Sequence, residues 1–288
     1  MKHLQDWFSG SQGLDLYYQS WQPETSAKAD VVMLHGLGSH SGWFMNLIEP
    51  LVAAGYGIHA FDLRGHGLSP GPRGHVDRWS DYRNDLHTYL QLIRTQPPER
   101  PCFALGHSLG GMILLEYALH YPDALSGLIA LAPALGSVGV SPFKLLLGQI
   151  LSWAWPTFTL DTGLDHKAAS RDRAVILAYE TDPLRHTQGT ARLATEFLKT
   201  RRWVRDRLSD LRVPTLFLHG SSDPVVLPEG GRMAFDRIQI PDKEYREYPQ
   251  GYHDLHNDIC APTVVRDILY WLERHVQSKP RFCPIPMS

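Results

Sequence analysis

Short, continuously apolar segments alternate along the chain with longer segments whose apolar residues recur at helical spacing. The apolar segments cover residues 31–34, 57–61, 102–105, 128–131 and 215–218. Because they are apolar at every position and not at every second one, they are typical of parallel strands that helices cover on both faces. The pattern therefore predicts a mostly parallel central sheet.

Helical spacing of apolar residues marks several of the segments between these strands. Residues 44–52 carry apolar side chains at i, i+3, i+4, i+7 and i+8, and Gly55 can end that helix. Similar stripes run over residues 82–93 and 265–276. Strands that alternate with such helices predict an α/β protein with helices on both faces of its sheet.

The alternation stops between about residues 136 and 211, where the patterns are mainly helical and no strand is evident. We interpret residues 1–288 as a single α/β domain with a helical cap inserted at about 136–211. Within the cap, residues 143–160 are rich in leucine and tryptophan. Their polar residues and a proline make this segment a poor transmembrane span.

The composition and charge of the chain exclude several classes of protein. With 28 basic and 30 acidic side chains the formal net charge is −2, so the chain lacks the basic field of a non-specific nucleic-acid binder. Apolar and charged fractions of 43% and 20% exclude disorder and a coiled coil. Three cysteines, Cys102, Cys260 and Cys283, are too few for a disulfide framework and predict reduced thiols. Without a signal-peptide pattern, we expect a cytoplasmic protein.

Residues 106–110 form a G-x-S-x-G pentapeptide with Ser108 at its centre. Alone, this pattern is weak, because it recurs by chance in unrelated chains. Here it follows the apolar strand 102–105 and opens a helical segment at 111–121, which is the strand–turn–helix context of a nucleophile elbow. The sequence therefore predicts that Ser108 is an exposed nucleophile at the edge of the sheet.

A serine hydroxyl needs a base, and that base needs a carboxylate to orient it. For an elbow serine the chain order is Ser, then Asp or Glu, then His. Asp223 follows the strand 215–218, and Asp182 in the cap is the alternative. His253 precedes the last helix in the position that the template expects, and His256 is the competitor.

Two further features concern the oxyanion and a metal. The backbone N–H of Leu109, directly after the nucleophile, and that of Leu37, in the H-G-x-G turn at 35–38, are the predicted oxyanion donors. The pair His253-x-x-His256 can also suit a metal ion. No second cluster with zinc spacing occurs in the sequence, so we expect no metal.

Six motifs spread over the chain carry a family resemblance. They are H-G-L-G-S-H-S at 35–41, D-L-R-G-H-G-L-S at 62–69, G-P-R-G-H-V at 71–76, G-H-S-L-G-G at 106–111, D-P-V-V at 223–226 and G-Y-H-D-L-H-N at 251–257. With them, residues 21–276 resemble the α/β-hydrolase superfamily and, within it, the monoacylglycerol lipase and lysophospholipase-like serine hydrolases. The chain departs from that group at Ser39, where an acidic residue is common, and at Asp254, where glutamate is common.

The resemblance implies a serine hydrolase that cleaves single-chain lipid esters, such as a monoacylglycerol or a lysophospholipid, through an acyl-enzyme and without a cofactor. It also implies a mobile cap whose apolar face binds the acyl chain and makes transient contact with a membrane surface. Leu147, Ile150, Leu151 and Trp155 are the candidate substrate-binding residues of that face.

The sequence leaves other functions open. A general carboxylesterase, a thioesterase or an acyltransferase uses the same three side chains. The fold also hosts non-catalytic binding and signalling proteins, but these normally lack a member of the triad. The sequence does not specify the oligomeric state.

Overall fold

A computed structural model of the chain describes residues 1–94, 100–136 and 142–277, with the backbone alone for 142–147. The strands are β1 (Lys2–Ser9), β2 (Asp15–Gln22), β3 (Ala29–Leu34), β4 (Tyr56–Phe61), β5 (Cys102–His107), β6 (Gly127–Leu131), β7 (Thr159–Asp161), β8 (Gln188–Thr190), β9 (Thr215–Gly220) and β10 (Lys243–Tyr248). The helices are α1 (Met45–Ala53), α2 (Trp79–Arg94), α3 (Leu109–His120), α4 (Pro142–Ala154), α5 (Arg173–Thr181), α6 (Ala191–Arg207), α7 (Glu229–Arg237) and α8 (Ala261–Gln277).

Eight strands form the central sheet in the order β1-β2-β4-β3-β5-β6-β9-β10. The six strands from β4 to β10 in this order are parallel, which confirms the predicted sheet. The antiparallel pair β1 and β2 extends it at one edge and was not predicted. Seven of the eight residues of β1 are exposed, so this strand lacks a continuous apolar run.

Helices cover both faces of the sheet, and each face has its own core. Side chains such as Val32 and Leu34 of β3 pack with α2 and α3 in one core. The alternate residues of the same strand, such as Val31 and Met33, pack with α1 and α8 in the other. This two-sided burial explains why the central strands are apolar at every position.

The segment between β6 and β9 contains α4, α5 and α6, in agreement with the predicted helical cap. It also contains a two-stranded antiparallel sheet of β7 and β8 that the sequence did not predict. Each of these strands has three residues, and those of β7 are all exposed, so neither forms an apolar segment. Among the residues described, the helices are too short or too polar to span a bilayer.

Candidate active site

Ser108 occupies the sharp turn between β5 and α3. Its backbone has φ 53° and ψ −112°, a combination that costs a non-glycine residue roughly 1–3 kcal/mol. The surrounding backbone holds this conformation: the Ser108 N–H donates to the Leu131 carbonyl at 3.0 Å, and the Ser108 carbonyl accepts from Met112 and Ala134 at 3.1 and 3.2 Å. These bonds join the turn to β6 and to the first turn of α3, and the side chain of Ser108 stays partly exposed.

Asp223 and His253 meet beside this turn because β9 and β10 are parallel neighbours whose following loops lie at the same edge of the sheet. The Nδ1 atom of His253 lies 2.7 Å from Oδ2 of Asp223. The other carboxylate oxygen accepts the backbone N–H groups of Val225 and Val226 at 2.8 and 2.9 Å. Both side chains are buried. The hydrogen bond between them therefore fixes the orientation of the imidazole ring.

The charges of this pair stabilise each other. Burial alone raises the pKa of Asp223, but the His253 charge and hydrogen bonds from His219, His253 and Val226 outweigh it and hold the pKa well below its usual range. Burial alone lowers the pKa of His253, and the Asp223 carboxylate outweighs it, so the pKa of His253 lies above its ordinary value of 6.5. Asp223 therefore stays ionised while His253 titrates.

We expect kcat/KM to fall as the pH is lowered through a value above 6.5. A general base must be neutral, and the raised pKa of His253 keeps its ring protonated to a higher pH than in an unperturbed histidine. The pH profile of kcat/KM for a non-ionising ester measures this. If kcat/KM falls only at a pH well below 6.5, the raised pKa of His253 is wrong. If this fall shifts along the pH axis in the residual activity of Asp223→Asn, the titrating group belongs to the Asp223–His253 pair.

The two competitors from the sequence have other surroundings. His256 is buried against Phe44 and His107, with ring centroids 5.2 and 5.0 Å away, and burial lowers its pKa to about 4. Asp182 lies 2.8 Å from Nε2 of His40 and accepts the indole N–H of Trp43 at 2.7 Å. The carboxylate that contacts His253 is Asp223.

The candidate oxyanion donors lie next to Ser108. Leu109 is the first residue of α3, where the backbone N–H has no acceptor within the helix. Gly36 lies so close to Ser108 that a Cβ there would be 3.2 Å from Cβ of Ser108. The backbone of Leu37 follows directly, so its N–H is one residue away from this contact.

A buried polar cluster lies behind His253 and was not predicted as a unit. Nε2 of His107 is 3.3 Å from both the His253 carbonyl and Oδ1 of Asp254. The hydroxyl of Tyr179, in the cap, donates to Oδ2 of Asp254 at 2.7 Å. Asn257 donates to Tyr179 at 2.9 Å and to the Trp43 carbonyl at 3.0 Å. The cluster links the cap to the loop that carries His253.

Three of these side chains could hold a metal ion among the residues that the structure describes. His107, His253 and Asp254 each offer a ligand atom, and the atoms lie within 4.8 Å of one another. Each residue already has protein partners: Asp223 for His253, Tyr179 for Asp254, and the His253 carbonyl for His107. These contacts account for the cluster as a scaffold for the loop that carries His253.

A cavity of about 1410 Å³ adjoins Ser108 and His253. Among the candidate substrate-binding residues, Leu151 lines it, whereas Ile150 and Trp155 are 53% and 59% exposed to solvent. The side chain of Leu147 lies outside the described residues, as does Cys283. The apolar lining comes mainly from the cap: Leu151, Leu160, Leu164, Leu193, Phe197 and Leu198.

The chain is similar in sequence and fold to several known proteins. Residues 25–259 match the Hydrolase_4 family, described as "Serine aminopeptidase, S33". A monoacylglycerol lipase of Mycolicibacterium smegmatis is 31% identical over 93% of this chain and 96% of its own length. The crystal structure of Paleococcus ferrophilus monoacylglycerol lipase has a TM-score of 0.83 and 32% identity, and the match covers 90% of this chain and 99% of that one. A soluble variant of the Saccharomyces cerevisiae monoglyceride lipase, with a TM-score of 0.82, 24% identity and 94% of both chains covered, shares the fold.

Proposed function

Because the chain belongs to the Hydrolase_4 family of the α/β-hydrolase superfamily and is a serine hydrolase, we propose that it cleaves single-chain lipid esters such as monoacylglycerols. The observation that carries the proposal is the large cavity, lined by apolar cap residues, beside Ser108 and the Asp223–His253 pair. The names of the relatives point to the same substrate class.

In the proposed reaction Ser108 Oγ attacks the ester carbonyl carbon while Nε2 of His253 accepts the hydroxyl proton. The carbonyl electrons move to oxygen, and the N–H groups of Leu37 and Leu109 stabilise the oxyanion. As the C–O bond to the alcohol breaks, His253 returns the proton to the leaving oxygen. A water molecule then attacks the acyl-enzyme by the same route and releases the fatty acid. Asp223 holds the ring of His253 in the required tautomer throughout.

The apolar cap residues that line the cavity favour an acyl chain as the part of the substrate that binds there. The cavity exceeds the roughly 300–1,000 Å³ of most small-molecule sites, so it has room for a long chain beside the ester. Leu151 contributes to that lining, and we assign Leu147 the same role. Burial of each methylene of the chain contributes about 0.8 kcal/mol, which makes a graded dependence on chain length the expected signature.

We also propose transient contact of the cap with a lipid surface. Ile150, Trp153 and Trp155, on and just after α4, are 53%, 84% and 59% exposed. Large apolar side chains in such a group are typical of an interaction surface, and tryptophan suits the boundary between lipid and water. In this interpretation Ile150 and Trp155 bind the lipid before it enters the cavity.

A panel of esters tests the proposed function. Purified protein is assayed with monoacylglycerols, lysophospholipids and p-nitrophenyl esters of graded chain length, with Ser108→Ala as the blank. We expect kcat/KM to rise with acyl length and to be highest for long-chain monoesters. A preference for acetyl or butyryl esters without activity on long chains would indicate a general esterase instead.

A further inference from the structure

Arg185 lines the cavity together with Ser39 and His186. It belongs to the cap segment between α5 and β8, and one terminal nitrogen donates to the Ser39 hydroxyl at 3.2 Å. The next residue, His186, donates its backbone N–H to the Gly38 carbonyl at 3.1 Å. These contacts place Arg185 beside the loop that carries Leu37, and therefore beside the reacting ester.

The positive charge of Arg185 has no counter-ion in the part of the chain that the structure describes. No carboxylate oxygen among those residues lies within 4.0 Å of its guanidinium nitrogens. Its Nε is buried and has no hydrogen-bond partner, and neither has the buried Nε2 atom of His186. Arg185 and His186 both line the cavity, and each has one buried side-chain nitrogen without a protein partner.

Two carboxylates in this part of the structure, Asp254 and Asp182, are held by other groups. Asp254 accepts the Tyr179 hydroxyl and contacts His107, and the charge of Arg185 contributes only part of what keeps the pKa of Asp254 near 2. Asp182 is bound to His40 and Trp43. An arginine that was meant to neutralise either carboxylate would form an ion pair with it.

The guanidinium group is held against two aromatic rings. Its central carbon lies 3.7 Å from the ring centroid of Tyr179 and 5.5 Å from that of Trp43. These cation–π contacts hold the group in place, so a ligand need not pay the full entropy cost of ordering it. A fixed fork of N–H donors is the geometry that recognises phosphate and carboxylate.

We propose that Arg185, with His186, forms a subsite for an anionic group carried by the alcohol part of the ester. The proposal rests on the proposed function. If the acyl chain lies along the apolar cap residues, the alcohol part of the ester lies against the polar cavity residues Ser39, Arg185 and His186. The favoured substrates are then monoacyl esters whose alcohol carries a phosphate or a carboxylate, and neutral monoacylglycerols are the poorer members of the class.

The first experiment compares two substrates that differ only in charge: a monoacylglycerol and the monoacylglycerol 3-phosphate with the same acyl chain. We expect Arg185→Gln to lower the ratio of kcat/KM for the phosphate to kcat/KM for the neutral ester by about 10- to 100-fold. Arg185→Lys, which keeps the charge, should recover part of this ratio. Arg266→Gln, which removes the same charge from a side chain on α8 that is 73% exposed and does not line the cavity, should change the ratio less than about twofold.

Three results would overturn the subsite: an unchanged ratio in Arg185→Gln, an equal fall in Arg266→Gln, or wild-type protein that prefers the neutral ester. A parallel fall of both rates in Arg185→Gln would indicate a structural role in holding the cap to Ser39. Thermal unfolding of each variant accompanies the kinetics, so that a loss of fold is recognised.

The second experiment does not depend on lipid hydrolysis. The rate at which a fluorophosphonate labels the protein is measured with glycerol 3-phosphate, glycerate or glycerol present. We expect the two anions to slow labelling at concentrations where glycerol does not, and Arg185→Gln to abolish the difference. Protection by one anion alone identifies the group that the subsite takes, whereas equal protection by glycerol refutes the proposal. If the ester panel fails while anion protection succeeds, the error lies in the proposed acyl substrate.

Discussion

Replacing Ser108 with alanine is expected to lower kcat/KM for ester hydrolysis by about 10⁴- to 10⁶-fold. In the proposed mechanism the hydroxyl oxygen forms the covalent bond to the acyl group, and alanine has no atom that can take its place. The oxyanion donors and the cavity persist in the variant, which is why a small residual rate over water is expected. Initial rates with a long-chain monoester, at enzyme concentrations high enough to detect that residual rate, give the result.

Ser222→Ala is the matched control for this change. Ser222 is exposed on the loop next to Asp223, and its replacement removes a hydroxyl of the same size without touching the turn at Ser108. We expect its activity to stay within about twofold of the wild type. Alanine at position 108 keeps the same backbone conformation, so both variants should unfold near the wild-type temperature. Substantial hydrolysis by a folded Ser108→Ala protein would remove Ser108 from the mechanism.

Asp223→Asn is expected to lower kcat by about 10⁴-fold, with a smaller effect on KM. The carboxylate accepts the Nδ1 proton of His253 at 2.7 Å, whereas an amide of the same shape can present its NH₂ group and select the wrong tautomer. The variant also leaves the imidazolium that forms during the reaction without its counter-charge. Steady-state kinetics from pH 6 upward measure the loss.

Asp182→Asn is the corresponding control, since Asp182 is the other aspartate that the sequence offers for this role. Its carboxylate contacts His40 and Trp43, so its loss should loosen the cap and cost less than about tenfold in kcat. A larger loss in Asp182→Asn than in Asp223→Asn would reverse the assignment. Near-UV circular dichroism of both proteins separates a chemical effect from a packing effect.

The parallel strands could be predicted from the sequence because their burial on both faces leaves a continuous apolar run. β3 illustrates this, with Val31 and Met33 in one core and Val32 and Leu34 in the other. The edge strand β1 is solvent-exposed along nearly its whole length, and its stability comes from the backbone ladder with β2, which leaves little trace in composition.

The candidate site also contains some residues that the sequence could predict and others that it could not. Ser108 could be found because the close-packed turn after β5 restricts the residues that fit there, and its order relative to Asp223 and His253 follows from the topology. The contact of Tyr179 with Asp254 joins residues 75 positions apart, and local sequence carries no signal for it. In the sequence nothing distinguishes Arg185 from the other charged residues of the cap, and only the fold shows that it lines the cavity.

The cap also shows the limit of periodicity as a guide to substrate contacts. Ile150 and Leu151 are adjacent and equally apolar, yet Leu151 lines the cavity and Ile150 is exposed. Helical spacing defines which residues share a face of α4, but not whether that face meets the cavity or the solvent. That choice depends on how α4 packs on α6, which is a tertiary contact.

The central claim is that Ser108 is the nucleophile that carries the acyl group, and mapping of the covalent adduct tests it most directly. The protein is treated with a long-chain fluorophosphonate, digested, and its peptides are analysed by tandem mass spectrometry. The account predicts a single stoichiometric adduct on Ser108 that disappears in Ser108→Ala. An adduct on another residue, or labelling that persists in Ser108→Ala, would contradict it.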